Sequence, residues 1–301
     1  MTKLFFYTRP RRFGKTLNMS MLYHFFSIKE KENDYLFDGL NISKNKDALR
    51  HQNQYPTILI SLKEMKSSSF ESQLTTFSNI IYELLEKNLE LLSSTQLTDT
   101  TKEIINTLHN RTASIEDLKF SLKVISNALY THYSSRVIIL IDEYDVPLQS
   151  AYQYNYYDEM VEFLRSIFSS ALKTNDALEK GIMTGCLRIS KESIFTGLNN
   201  FKTYSLLDEM NEEYFGFTEK EVLQLLKDYN LTDYIDEVKE WYDGYLFGNI
   251  EIYNPWSTLM YVDRKSHFSS SKPKFFWANT SGNDIVVNYI QNGSDELHED
   301  F

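Results

Sequence analysis

The chain has 301 residues, a net charge of −11 and a single cysteine. A chain of this length can bury a large core without disulfides, and one cysteine excludes an intramolecular disulfide, so we expect a cytoplasmic protein. It has no run of about 20 apolar residues, so no membrane span is predicted. Residues 1–31 hold seven basic residues and one acidic residue. This local charge suits a small polyanion, or a solvated basic patch, and does not support direct nucleic-acid binding.

Short strands alternate with helices along the first two thirds of the chain. The first helix is expected to begin at Lys15, and helical periodicity follows over 70–131 and 156–173. This alternation predicts an α/β fold, with a mostly parallel sheet flanked by helices. The predicted strands are 4–7, 57–62, 136–141, 181–185 and 203–207.

The pattern changes near residue 208. A capping box at Thr218–Glu221 predicts the start of a helix, and a second helix is expected over 232–241. We therefore expect a core over 1–207 and a smaller, mainly α-helical region over 208–290. The acidic end, residues 291–301, is expected to be a disordered tail.

The strongest chemical signal lies between the first strand and the first helix. Gly14, Lys15 and Thr16 form the second half of a P-loop, whose amides and helix N-terminus bind phosphate. Lys15 would neutralise the β- and γ-phosphates, and the Thr16 hydroxyl would bind Mg²⁺. Arg9 replaces the first glycine of the motif, so we expect a different loop path. The alternative is a helix start with a surface lysine.

A pair of acidic residues follows the most apolar predicted strand. Asp142 comes directly after residues 136–141, and Glu143 is next. Because a buried carboxylate is costly unless it is paired or binds metal, we predict that Asp142 serves the Mg²⁺ site. Glu143 is then the candidate general base that activates water. We expect this segment and the P-loop to follow adjoining strands; the alternative is that both acids simply open a loop.

Four further residues are weaker candidates. Thr184 ends the fourth predicted strand, where it could sense the γ-phosphate, and Arg188 could reach a phosphate. A surface role is the alternative for both. Asp145 lies near the predicted site, with a turn as the alternative, and we interpret Cys186 as a core residue rather than a nucleophile.

Residues 8–22, which include Arg-Pro-Arg-Arg-Phe-Gly-Lys-Thr, resemble the phosphate loop of the bacterial AAA-ATPase-like family, in which arginine replaces the first glycine. Further matching motifs lie at 140–145, 184–190, 241–245, 253–257 and 279–283. The resemblance implies a P-loop ATPase core, a helical lid-like region, and ATP with Mg²⁺ as ligands. The nucleotide-binding residues that follow from the motif are Arg11, Arg12, Phe13, Gly14, Lys15, Thr16 and Leu17.

The function expected from these signals is Mg²⁺-dependent ATP hydrolysis coupled to conformational change. One alternative is a nucleotide-binding switch or scaffold with little turnover. Another is a truncated, inactive copy, because members of the family often carry a C-terminal domain like PD-(D/E)XK nucleases and a segment before the first strand. Besides the nucleotide, a second copy of the chain and a nuclease-like domain or protein stay open as partners.

Overall fold

The computed structural model describes residues 3–186, 194, 201–268 and 270–276. The chain divides into two compact units. The first holds Met1–Pro10 and Lys15–Ser205, and the second holds Arg11–Gly14 and Leu206–Phe301. The predicted acidic tail lies outside the described residues.

The first unit is built on a parallel sheet of five described strands, in the order β2-β3-β4-β1-β5. Helices flank this sheet, so the predicted α/β fold is confirmed. The strands are β1 Leu4–Thr8, β2 Thr57–Ser61, β3 Val137–Asp142, β4 Leu178–Gly185 and β5 Phe201–Tyr204. The α-helices are α1 Lys15–Phe26, α2 Lys46–Leu49, α3 Phe70–Glu86, α4 Asp99–His109, α5 Ile115–Tyr133, α6 Val146–Gln153 and α7 Tyr157–Phe168.

Strand β3 lies inside the core because apolar layers cover both of its faces. All six of its residues are buried, including the terminal Asp142. On one face Ile139 belongs to the large cluster that α3, α5 and α7 complete, and on the other Leu140 packs with Met19 of α1. A continuous apolar run is typical of a strand that is covered in this way. A charge at its end therefore needs partners from the protein.

The expectation that the P-loop and the acidic pair follow adjoining strands is wrong. Strand β4 lies between β1 and β3 and pairs with both of them. The physical reason is that the chain passes through α6 and α7 after β3 and then forms β4 parallel to β3. Strand β4 takes the place next to β3 on the side that faces β1. Because all these strands are parallel, their carboxyl ends still share one edge of the sheet.

The described residues of the second unit form three α-helices and a small antiparallel sheet of order β6-β8-β7. The capping box predicted at Thr218 is confirmed, because its side chain and that of Glu221 each bond the other's backbone amide. The strands of this sheet have two to four residues each and were not predicted from the sequence. The elements are β6 Phe217–Thr218, α8 Glu219–Asp228, α9 Ile235–Tyr242, β7 Tyr245–Phe247, β8 Ile250–Tyr253 and α10 Pro255–His267.

Candidate phosphate and metal site

Lys15 is the first residue of α1 and is only 5% exposed. Its ammonium donates to the carbonyl oxygens of Arg9 at 2.9 Å and Pro10 at 2.8 Å, and to Cys186 Sγ at 3.2 Å. All three acceptors are neutral. Among the described residues, no carboxylate lies within ion-pair distance of this ammonium. The positive charge of Lys15 is thus held in place without being neutralised at contact.

Asp142 lies next to the start of α1, between two hydroxyl groups. Thr16 Oγ1 donates to Asp142 Oδ2 at 2.6 Å, and Thr184 donates to the other carboxylate oxygen. Asp142 is 1% exposed, so these hydrogen bonds replace its contacts with water. The arrangement brings Asp142 together with one residue 126 positions before it and another 42 positions after it in the chain.

The donor set of this cluster fits Mg²⁺. A hydroxyl and a carboxylate are hard oxygen donors, and Mg²⁺ commonly binds one or two such protein groups together with water and substrate phosphates. Within the described ranges, no group of three or more His, Cys, Asp or Glu side chains could hold a metal ion. Thr16 and Asp142 are therefore candidate ligands for a metal ion whose remaining ligands would include substrate oxygens.

Glu143 follows Asp142 with its backbone in the left-handed region, at φ 53°. Non-glycine residues seldom adopt this conformation, and strained backbone is concentrated at functional sites. The pKa of the half-buried Glu143 carboxyl is raised, mainly by burial and then by the charge of Asp142, while Lys15 and Lys66 act in the opposite direction. A raised pKa brings a carboxylate closer to the range in which it accepts a proton effectively.

Arg9, which occupies the position of the missing glycine, is turned into the protein and is 1% exposed. Its Nη1 donates to the carbonyls of Thr8 at 2.9 Å, Tyr204 at 3.1 Å and Ser205 at 2.9 Å. Its own amide donates to the carbonyl of Gly185 at 3.1 Å. Arg9 therefore joins the carboxyl ends of β1, β4 and β5 and supports the base of the loop.

Asp145 is fully buried and supports the same edge of the sheet. Its Oδ2 accepts from the Cys186 amide at 3.1 Å and from Gln149 Nε2 at 2.8 Å. Gly185 leaves room for this packing, since a Cβ there would lie 2.3 Å from Tyr144 Cε1. The expectation that Cys186 is a core residue is wrong: it is half-buried, with its thiol at the Lys15 ammonium, because Asp145 fixes its backbone at the strand end.

The other residues of the predicted loop have different surroundings. Leu17 is 74% exposed on α1. Arg11, Arg12, Phe13 and Gly14 belong to the second unit. There the Phe13 ring, 1% exposed, packs on Tyr245 and Phe247, and the Arg12 guanidinium lies over Trp256. The side chain of Phe13 is thus used in packing. Arg188, predicted to reach a phosphate, lies outside the described residues.

Sequence reasoning missed Lys66. It follows β2, whose last residue, Ser61, is paired with Asp142 in the register of the sheet. The available signal was its position shortly after a predicted strand, at the edge where the acidic pair was also expected. Its charge acts on the carboxyl of Glu143.

Two comparisons relate the chain to known proteins. A family model described as "Predicted AAA-ATPase" matches residues 1–195. An "Uncharacterized protein in vnfD 5'region" from Azotobacter chroococcum mcd 1 is 28% identical over 277 residues. That alignment covers 90% of this chain and 48% of the relative, so the chain spans about half of the relative's length. In the part of the chain that the structure describes, none of the helices has both the length and the apolar character that crossing a membrane requires.

Proposed function

The chain belongs to the predicted AAA-ATPase family, and on this basis we propose that it binds ATP with Mg²⁺, hydrolyses it and couples the reaction to conformational change. The observation that carries the proposal is the position of Lys15. Its ammonium, held only by neutral acceptors, is adjacent in sequence to the Thr16 hydroxyl that contacts Asp142. Both lie at the carboxyl edge of a parallel sheet, where α/β proteins bind ligands.

Phosphate binding follows from the partners of Lys15. A triphosphate offers charged oxygens in place of the carbonyl and thiol acceptors, so its hydrogen bonds with the Lys15 ammonium would join two opposite charges. The N-terminus of the 12-residue helix α1 adds the positive end of the helix dipole. Arg11, Arg12, Phe13, Gly14 and Leu17 complete the proposed nucleotide-binding segment.

Thr16 and Asp142 would hold Mg²⁺, which, when bound, neutralises charge on the phosphate oxygens. The hydroxyl of Thr184 then has an orienting role, because its hydrogen bond fixes the rotamer of Asp142. In this proposal Thr184 acts through Asp142 in addition to the direct γ-phosphate contact that the sequence suggested.

Glu143 is the proposed general base. In the reaction, a water oxygen bonds to the γ-phosphorus while the bond from that phosphorus to the β–γ bridging oxygen breaks. The water proton passes to the Glu143 carboxylate, and the electrons of the broken bond remain on ADP. Lys15 stabilises the negative charge on the phosphates during this step.

The experiment compares phosphate release by the wild-type chain and by Glu143→Gln, with ATP affinity measured by calorimetry. The amide keeps the shape of the side chain but accepts no proton, so we expect phosphate release to fall about 100-fold. ATP affinity should stay the same, because Glu143 is not assigned to phosphate binding.

Equal release by both proteins would remove Glu143 from the mechanism. A wild-type chain that binds ATP but releases no phosphate would favour the switch or scaffold alternative. A chain that binds no nucleotide would contradict the proposed function as a whole.

A further inference from the structure

The turn that follows β2 is anchored to the acidic end of β3. The amide of Leu62 donates to the carbonyl of Asp142 at 3.0 Å, which continues the β2–β3 pairing by one residue. The chain then folds back, because the amide of Met65 donates to the carbonyl of Leu62 at 3.0 Å. Four residues after the sheet hydrogen bond, Lys66 therefore lies close to the end of β3.

A buried contact on the far side holds this turn in position. Met65 is fully buried, and its carbonyl accepts from Gln73 Nε2 of α3 at 3.1 Å. The carbonyl of Ser67 accepts from the hydroxyl of Tyr156. The backbone on either side of Lys66 is thus fixed to the core, while the lysine itself is exposed. A rigid backbone with an exposed cation is a suitable way to present a charge to a ligand.

Lys66 lies on the turn whose first residue, Leu62, is hydrogen-bonded to the carbonyl of Asp142. Its ammonium makes no hydrogen bond and no ion pair with any residue in the described part of the chain. Lys63, on the same turn, differs because its ammonium lies 3.9 Å from Glu64. The two lysines therefore provide a matched pair.

We propose that Lys66 is a catalytic residue that contacts the γ-phosphate during ATP hydrolysis and stabilises the negative charge that develops there. The proposal rests on the proposed function. In P-loop enzymes a cationic side chain, supplied within the chain or by another subunit, stabilises the charge of the transferred phosphoryl group. Lys15 is already held beneath the loop by carbonyls, whereas Lys66 approaches the same edge of the sheet from β2.

The test measures Lys66→Gln, Lys66→Arg and Lys63→Gln against the wild-type chain. We expect Lys66→Gln to lower kcat about 30-fold, as for the loss of one charged group from a transition-state site. Lys66→Arg should regain most of this loss because it restores the charge. Lys63→Gln should stay within about twofold of wild type, since an exposed ion pair contributes little.

Binding supplies a second readout that does not depend on turnover. Calorimetry with MgADP, alone and with aluminium fluoride, compares the ground state with a mimic of the transferring phosphoryl group. Lys66→Gln should weaken the aluminium fluoride complex and leave MgADP affinity unchanged. A variant that merely disturbed the fold would weaken both.

If the wild-type chain hydrolyses ATP and Lys66→Gln matches it in kcat and in aluminium fluoride binding, the assignment of Lys66 is overturned and the proposed function stands. Equal losses in Lys66→Gln and Lys63→Gln would also overturn it, because they would indicate a long-range charge effect. A wild-type chain without phosphate release overturns both proposals.

Discussion

Lys15 in the first unit and Lys265 in the second are both 5% exposed, yet their ammonium groups have different partners. Lys265 lies 3.1 Å from the carboxylate of Glu237, donates to the carbonyl of Ser271 at 2.9 Å and lies 4.2 Å from the ring centre of Tyr234. Lys15 has only two carbonyls and a thiol. The chain thus neutralises one buried cation itself and leaves the other with neutral acceptors.

This difference is the one expected between a structural lysine and a lysine that binds a ligand, as proposed for Lys15. A buried charge is costly unless it is paired, and Lys265 meets that condition within its own unit. For Lys15 no described carboxylate lies within ion-pair distance, although its charge acts to lower the pKa of Glu143. The two residues are equally buried, and only the charge of their acceptors distinguishes them, which is why Lys15 is the one proposed to bind phosphate.

The largest expected effect is that of Lys15→Ala on nucleotide binding. Loss of charge-assisted hydrogen bonds of about 2–3 kcal/mol corresponds to affinity weakened about 100-fold. The free energy of unfolding should change little, because removing a buried cation that has no carboxylate at contact offsets the loss of its hydrogen bonds to the carbonyls. Calorimetric titration with MgATP measures the affinity, and unchanged affinity would show that the ammonium is structural, like that of Lys265.

A smaller effect is expected for Lys265→Met, and it concerns stability rather than nucleotide binding. The substitution keeps the length of the side chain but leaves Glu237 without its cation, so the free energy of unfolding should fall by about 2 kcal/mol. Urea denaturation measures it. MgATP affinity should match wild type, and a selective loss of affinity would break the distinction between the two lysines.

The smallest effect is expected for Tyr261→Phe. The Tyr261 hydroxyl donates to Glu237 Oε1 at 2.5 Å, beside Lys265. Removing this donor should lower the free energy of unfolding by about 1 kcal/mol. Denaturation of Tyr261→Phe together with Lys265→Met tests whether the three side chains act as one cluster. Strictly additive losses would argue that they act independently.

Sequence reasoning could predict the elements that depend on local pattern. The continuous apolar run of β3 predicted a buried strand, and its terminal Asp142 then required a partner. Thr16 was predicted from the Gly-Lys-Thr motif, and the structure brings its hydroxyl to Asp142. The helix start at Thr218 followed from a capping box, which is encoded within four residues.

Features that depend on distant parts of the chain could not be predicted. The inward orientation of Arg9 is set by carbonyls 195 and 196 positions away. Lys66 became a candidate only when hydrogen bonds placed its turn beside Asp142. The position of β4 between β1 and β3 is decided by packing of helices on the sheet, and β6 to β8 are too short for an alternating pattern to be recognised.

The central claim is that the Lys15 ammonium and the pair formed by Thr16 and Asp142 are the two halves of one Mg²⁺-triphosphate site. A crystal structure with Mg²⁺ and a non-hydrolysable ATP analogue tests it most directly. We expect phosphate oxygens at Lys15 Nζ and the metal ion at the Thr16 hydroxyl. Nucleotide bound elsewhere, with Lys15 still donating only to Arg9, Pro10 and Cys186, would contradict it.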